Sequence, residues 1–120
     1  MAVHTYEALF LIDPNKASAD VEGVAQQVNG MLVKNGGEIL HTRPWGEMKL
    51  AYPIQKFKKG FYLLTYFTMD AQKLDSVAYD CRVSELILRN MIIKLHPRVA
   101  TDILDHYTGV HEHVEEPVAT

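Results

Sequence analysis

Six histidines and one cysteine are the residues of this chain best suited to bind a metal or act as a nucleophile. Three of the histidines, His106, His111 and His113, cluster near the C-terminus and could together bind a divalent cation. Their spacing matches no compact zinc pattern, and they lie in an acidic stretch without apolar periodicity, which favours a solvated tail. Cys81 has apolar neighbours at helical spacing, which is typical of a core residue rather than a reactive thiol. We therefore predict no metal site.

Charge is the second chemical signal, and it is unevenly distributed. The chain has 12 basic and 15 acidic residues, giving a formal net charge of -3. One arginine stands against five acidic residues in positions 98–120, whereas positions 43–60 hold five basic residues and one glutamate. A local positive patch of this kind can contact phosphate, although basic charge at a turn can also serve solubility. The centre of the patch is formed by Lys56, Lys58 and Lys59.

A catalytic site needs a nucleophile with a base, paired acids or a phosphate-binding loop, and none of these patterns is recognisable here. The residues therefore give no positive sign of catalysis, and we expect no cofactor. The length of 120 residues and the 48% hydrophobic content fit one domain, placed at residues 1–97, followed by an acidic, flexible tail at residues 98–120. A lone cysteine, no signal-peptide pattern and no bilayer-spanning apolar run predict a cytoplasmic protein.

The basic patch lies in a predicted hairpin. Its first strand ends at Ile54, its turn is Gln55 to Gly60, and its second strand is Phe61 to Met69. The second strand is rich in aromatic residues and lacks Gly and Pro, which favours an interior position in a sheet. Alternation directs Phe61, Leu63, Phe67 and Met69 to one face and Tyr62, Leu64 and Tyr66 to the other. We expect the first face to meet helices and the second to meet a partner or the tail.

The remaining segments predict an order of strand, helix, strand, strand, helix, strand. They are a strand at Tyr6 to Ile12, a helix from the N-cap Ser18 to Lys34, an edge strand at Glu38 to Tyr52 bent at Pro44 and Gly46, a helix capped by Asp70 with its stripe at Leu74 to Cys81, and a strand at Leu86 to Lys94. With right-handed connections this order gives an α+β fold, the ferredoxin-like plait. In that fold a four-stranded antiparallel sheet carries both helices on one face, with the last strand followed by the first, third and second.

Several segments together resemble the bacterial small-subunit ribosomal protein six family, over roughly residues 4 to 95. They are Tyr6-Glu7, Asp13-Pro14-Asn15, Lys49-Leu50-Ala51-Tyr52-Pro53-Ile54, Gly60-Phe61-Tyr62-Leu63 and Met91-Ile92-Ile93-Lys94. The resemblance implies the same plait fold and a non-catalytic, structural role in the small ribosomal subunit, in assembly and translation. We therefore predict that the chain is not an enzyme. It also implies binding of small-subunit ribosomal RNA together with ribosomal protein eighteen, through RNA shape and backbone rather than base sequence.

The resemblance further implies site residues. Lys49, Arg89 and Lys94 match basic positions of the family, so we expect RNA contacts there as well as at the three lysines of the turn. The chain has His4-Thr5 and Met48-Lys49 where the family often has basic residues, so fewer phosphate contacts are expected. The competing functions are a small plait-type enzyme or ligand-binding dimer of the monooxygenase kind, and a homo-oligomer joined through the edge strand. We expect no membrane and no small-molecule substrate as partners.

Overall fold

The third strand is the centre of the fold in the computed structural model, which describes residues 3–104. The elements in chain order are β1 (Val3–Ile12), α1 (Pro14–Ala19), α2 (Val21–Lys34), β2 (Glu38–Ile54), β3 (Phe57–Asp70), a 3-10 turn (Ala71–Lys73), α3 (Leu74–Val83), β4 (Ile87–Lys94) and α4 (Pro97–Leu104). The strands form one antiparallel sheet in the order β2-β3-β1-β4. This order confirms the predicted ferredoxin-like plait.

The main core lies between one face of the sheet and helices α2 and α3. Phe10 of β1 and the two β3 residues Leu63 and Phe67 are fully buried there. The helices contribute the stripes that their apolar spacing predicts: Val24, Val28 and Leu32 from α2, and Val77 and Cys81 from α3. Burial, with the nearby charge of Asp80, raises the pKa of the Cys81 thiol to about 11. The thiol therefore stays protonated at neutral pH, as expected for a core cysteine.

The first helical region differs from the prediction, because two helices replace one. Asp13 caps α1 by accepting hydrogen bonds from the backbone N–H groups of Asn15 and Lys16, and Pro14 occupies the first turn. The chain then turns at Asp20, which caps α2 by accepting from the Gly23 N–H at 2.9 Å. The predicted N-cap at Ser18 is wrong. Ser18 lies inside α1, because the Asp-Pro pair starts a helix instead of only ending a strand.

Strand β2 lies at the edge of the sheet and is irregular, as its Pro and Gly residues predict. The register between β2 and β3 shifts at three places, one of them between Pro44 and Gly46. Gly46 has φ +109, a conformation that side chains with a Cβ rarely adopt. A third shift follows Lys49, and it creates the bulge that shapes the end of the hairpin.

The hairpin turn is shorter than predicted. Only Gln55 and Lys56 link β2 to β3, so Lys58 and Lys59 lie on β3 and the predicted turn of six residues is wrong. Both linking residues have positive φ, 50 for Gln55 and 76 for Lys56, as a two-residue type I′ turn requires. Such turns favour Asn and Gly, because a Cβ makes the left-handed conformation costly. The two-residue turn therefore holds Gln55 and Lys56 in a strained backbone conformation.

The strain at the turn gives a stability prediction. Lys56→Gly should raise the free energy of unfolding by about 1 kcal/mol, because glycine adopts positive φ without steric cost. Lys58→Gly is the matched control. It removes the same charge from extended backbone and should lower stability by about 0.5 to 1 kcal/mol. Urea denaturation of both variants measures the difference, and an equal effect of the two changes would show that the turn stores no strain.

The sheet face opposite the main core is not bare. Leu64 and Tyr66 are 2% and 3% exposed, and Leu11 beside them on β1 is also buried, whereas Tyr62 is half-buried. The prediction of an apolar second face is confirmed, but two of its three residues are already covered within the chain. Helix α4 contacts β1, and the Leu95 N–H donates to the Thr5 carbonyl oxygen at 2.8 Å.

The predicted boundary at residue 97 falls at the first residue of α4, so the start of the predicted tail is helical. The tail histidines His106, His111 and His113 lie outside the described residues. Within residues 3–104, no helix is both long and apolar enough to cross a membrane.

Candidate nucleic-acid interface

The end of the β2–β3 hairpin projects beyond the rest of the sheet. Phe61 of β3 pairs with Ile12, the last residue of β1, so the hairpin continues past the point where β1 ends. We call residues 49–60 the basic arm. All four of its lysines are exposed: Lys49, Lys56, Lys58 and Lys59. The structure thus brings four of the six predicted RNA-contacting residues onto one element.

Two lysines of the basic arm face each other across the hairpin. Lys49 pairs directly with Lys59 in the β2–β3 register. Like charges in directly opposed positions destabilise a strand pair, so this arrangement is unfavourable without an anion nearby. The ion pair between Lys34 and Asp80, at 3.5 Å, lies elsewhere, and within residues 3–104 no ion pair is found at the lysines of the basic arm. The arm therefore carries cationic groups that no described carboxylate neutralises.

The base of the basic arm is fixed by close packing. Gly60 is buried, and a Cβ at this position would collide with the Leu11 side chain and approach Leu50. Beyond it, the β2 segment 50–53 bulges opposite Lys58, since the register shifts from the Lys49–Lys59 pair to the Ile54–Phe57 pair. Bulges of this kind bend a strand and redirect its side chains. The bulge contains the segment that resembles the ribosomal family most specifically, and it presents Tyr52 with 60% exposure.

The tip of the arm lies beside helix α3 and strand β4. An open cavity of about 440 Å³ separates them, with polar lining from Gln55 of the turn, Arg82 of α3, and Arg89 and Asn90 of β4. Arg89 was predicted from the family resemblance and is brought to the arm by the fold. Arg82 was missed by sequence reasoning. Its position near the end of a helix, where basic residues complement the helix dipole, gave no functional signal.

Lys94 does not belong to this site. It pairs with Tyr6, whereas the basic arm begins beyond Ile12, so about 20 Å of extended strand separates them. Alternation also places Arg89 and Lys94 on opposite faces of β4. The six predicted RNA contacts therefore form one group of five at the arm and one isolated lysine at the other end of the sheet.

The predicted partner face contains a hydrogen-bonded tyrosine. The Tyr66 hydroxyl donates to Glu7 Oε2 at 2.8 Å, and the His41 ring stacks on the Tyr66 ring with centroids 6.5 Å apart. Burial, reinforced by the Arg43 charge, lowers the pKa of His41 below its ordinary value. The imidazole is therefore neutral at pH 7. Tyr62, further along the same face, is half-buried and remains accessible to a partner.

Comparisons with known proteins agree on one family. The family model described as Ribosomal protein S6 matches residues 5–94. The small ribosomal subunit protein bS6 of Rhodopirellula baltica is 43% identical over 109 residues, which cover 91% of this chain and 78% of the relative. The bS6 protein of Fusobacterium nucleatum is 42% identical over 89 residues, covering 74% of this chain and 95% of the relative.

One solved structure supports the same assignment. The crystal structure of 30S ribosomal protein S6 from Thermotoga maritima superposes with a TM-score of 0.72 at 27% identity, covering 85% of this chain and 96% of that chain. The C-terminal domain of the MgtC protein from Mycobacterium tuberculosis gives a TM-score of 0.52 at 10% identity, covering 79% and 90%, and shows the fold alone.

The curated relatives are ribosomal proteins and not enzymes, so the prediction of a non-catalytic chain is confirmed and the plait-type enzyme alternative is wrong. Their place in the small ribosomal subunit confirms the predicted location on the cytoplasmic ribosome. The matched residues span β1 to β4 and include the whole basic arm. This chain belongs to the ribosomal protein S6 family of the small ribosomal subunit.

Proposed function

We propose that this protein binds small-subunit ribosomal RNA through the basic arm, together with ribosomal protein eighteen. The observation that carries the proposal is the direct pairing of Lys49 with Lys59 on a projecting hairpin without described carboxylate partners. An RNA backbone supplies the phosphates that relieve this repulsion, and lysine is well suited to contact them. Lys56 at the turn and Lys58, which alternation places on the face of β3 opposite to Lys59, add contacts around the arm, and Arg89 borders it. Lys94 would make a separate contact.

A partner protein explains how a mildly acidic chain can bind a polyanion. The formal net charge is -3, so general attraction to RNA is weak and the positive surface is local. A basic partner would supply further phosphate contacts. We propose that this partner binds the sheet face of Tyr62, Leu64 and Tyr66. Half-buried Tyr62 would contact the partner directly, while the buried Leu64 and Tyr66 pack beneath this surface. Aromatic anchors of this kind dominate many protein interfaces.

The test compares RNA binding by this protein alone and with ribosomal protein eighteen. We expect the protein to bind a ribosomal RNA junction fragment weakly, and to gain at least about tenfold in affinity when the partner is present, equivalent to about 1.4 kcal/mol. Filter binding or fluorescence anisotropy at fixed salt measures both affinities. A duplex RNA of equal length is the control, since it offers phosphates without the folded junction.

Equal junction affinity with and without the partner would contradict the cooperative part of the proposal. Equal affinity for junction and duplex would show that the protein binds RNA only through general electrostatic attraction. Because the slope of affinity against salt reports the number of phosphate contacts, the same titration at several salt concentrations also counts the contacts that the partner adds.

A further inference from the structure

The cavity between the basic arm and the α3–β4 region is lined by several hydrogen-bond donors. Two guanidinium groups, Arg82 and Arg89, and two side-chain amides, Gln55 and Asn90, line it. Arginine presents a planar fork of N–H donors that matches the oxygens of a phosphate, and each amide adds N–H donors. The apolar side chains Cys81 and Ile87 are buried at its inner wall. A cavity lined in this way favours an anion with several acceptor oxygens.

The positive charges of the two arginines in the lining are not neutralised by ion pairs within the described residues. Within the part of the chain that the structure describes, neither Arg82 nor Arg89 forms an ion pair. The Cys81 thiol adds no negative charge, since burial keeps it protonated. The acidic residues nearest to Arg82 in sequence are Asp80 and Glu85. The Asp80 carboxylate accepts a hydrogen bond from the Asn35 side-chain amide at 3.0 Å and forms an ion pair with Lys34. An anion entering the cavity therefore meets positive charge that is not already neutralised.

Arg82 is held in place by a neighbouring ring. Its Cζ atom lies 5.5 Å from the centroid of the Tyr79 ring, one helical turn earlier in α3. A cation–π contact of this kind restricts the long side chain and reduces the entropy lost when it binds a ligand. On the other side of the cavity, the tight turn sets the backbone of Gln55, which has φ 50. The Tyr79 ring thus restrains Arg82, whereas the turn positions only the backbone of Gln55, whose side chain is exposed.

We propose that this cavity binds one phosphate of an RNA backbone, with Arg82 as a phosphate-contacting residue beside Arg89, Gln55 and Asn90. The inference rests on the proposed function, because it assumes that RNA follows the basic arm. Lys56 follows Gln55 in the same two-residue turn, so a strand of RNA lying on the arm passes close to the cavity. A single carboxylate ligand would use the cavity but not the adjoining row of lysines.

The test uses Arg82→Gln in the full chain, with Lys73→Gln as the matched control. Both substitutions remove one positive charge from an exposed site, but Lys73 follows the end of β3 that is farthest from the arm. We expect Arg82→Gln to lower the slope of log affinity against log salt by about 0.7 to 0.9, and Lys73→Gln to leave it unchanged. Arg82→Lys should keep the slope but weaken binding, because a single ammonium lacks the fork.

A second readout does not depend on RNA. Titration of the wild-type protein with inorganic phosphate should shift the side-chain amide NMR signals of Gln55 and Asn90, and the shifts should disappear in Arg82→Gln. Thermal unfolding of each variant confirms that it is folded. If the junction RNA binds and the two glutamine variants have the same slope, the phosphate site is refuted while the proposed function stands. If the RNA does not bind the wild type, the proposed function fails, and the phosphate titration alone decides the cavity, with absent shifts refuting it.

Discussion

Replacing Lys56, Lys58 and Lys59 together with glutamine is expected to weaken RNA binding in 0.1 M salt by roughly 100- to 500-fold. The reason is that each phosphate contact releases counterions and contributes about 0.7 to 0.9 to the slope of log affinity against log salt. Three lost contacts lower that slope by about 2 to 3. Binding of the junction RNA at four or more salt concentrations measures the slope, and the partner protein should be present throughout so that the complex is the one proposed.

The control for this triple variant is Lys34→Gln with Lys73→Gln. These lysines lie on the helical side of the molecule, so their loss reports what general positive charge contributes. We expect a much smaller change in slope per charge removed. If the slope falls equally per charge in both variants, the basic arm has no special role and its lysines serve only solubility.

Tyr66→Ala is expected to lower the free energy of unfolding by about 3 to 5 kcal/mol. The ring is 3% exposed, and its removal leaves a cavity between strands β1 and β2. The Glu7 carboxylate also loses the hydroxyl that donates to it at 2.8 Å. Chemical denaturation measures the loss. The structure therefore assigns Tyr66 a folding role, beyond the partner contact that alternation along the strand suggested.

Tyr66→Phe separates the ring from the hydrogen bond. It keeps the packing and removes only the hydroxyl, so the expected cost is about 1.5 to 3 kcal/mol, the range for a hydrogen bond to a charged group. Tyr52→Ala removes an aromatic ring that is 60% exposed and should change stability by less than about 0.5 kcal/mol. Equal costs for Tyr66→Ala and Tyr52→Ala would show that the second sheet face contributes little to folding.

The sequence by itself was enough to predict the fold, because its helices and strands can be recognised from short-range patterns of apolar residues. The alternation from Phe61 to Met69 and the helical spacing of Val24, Val28 and Leu32 reflect side chains that must reach a common core. Strand order followed from the right-handed connections. The sequence misplaced the start of the first helix, because Asp13-Pro14 can end a strand and begin a helix equally well, and only the hydrogen bonds of Asp13 decide between them.

The candidate site depended on tertiary structure to a greater degree. Sequence reasoning identified the lysines of the arm, since charge clusters are visible along the chain. It could not show that Lys49 faces Lys59, because the bulge after Lys49 sets that register. Nor could it show that Arg82 and Arg89 lie near the turn. They are about thirty residues away in sequence, and they line a cavity with Gln55 because the arm extends past the end of β1. Local patterns specify which residues are buried or charged, whereas register and chain path decide which of them share a surface.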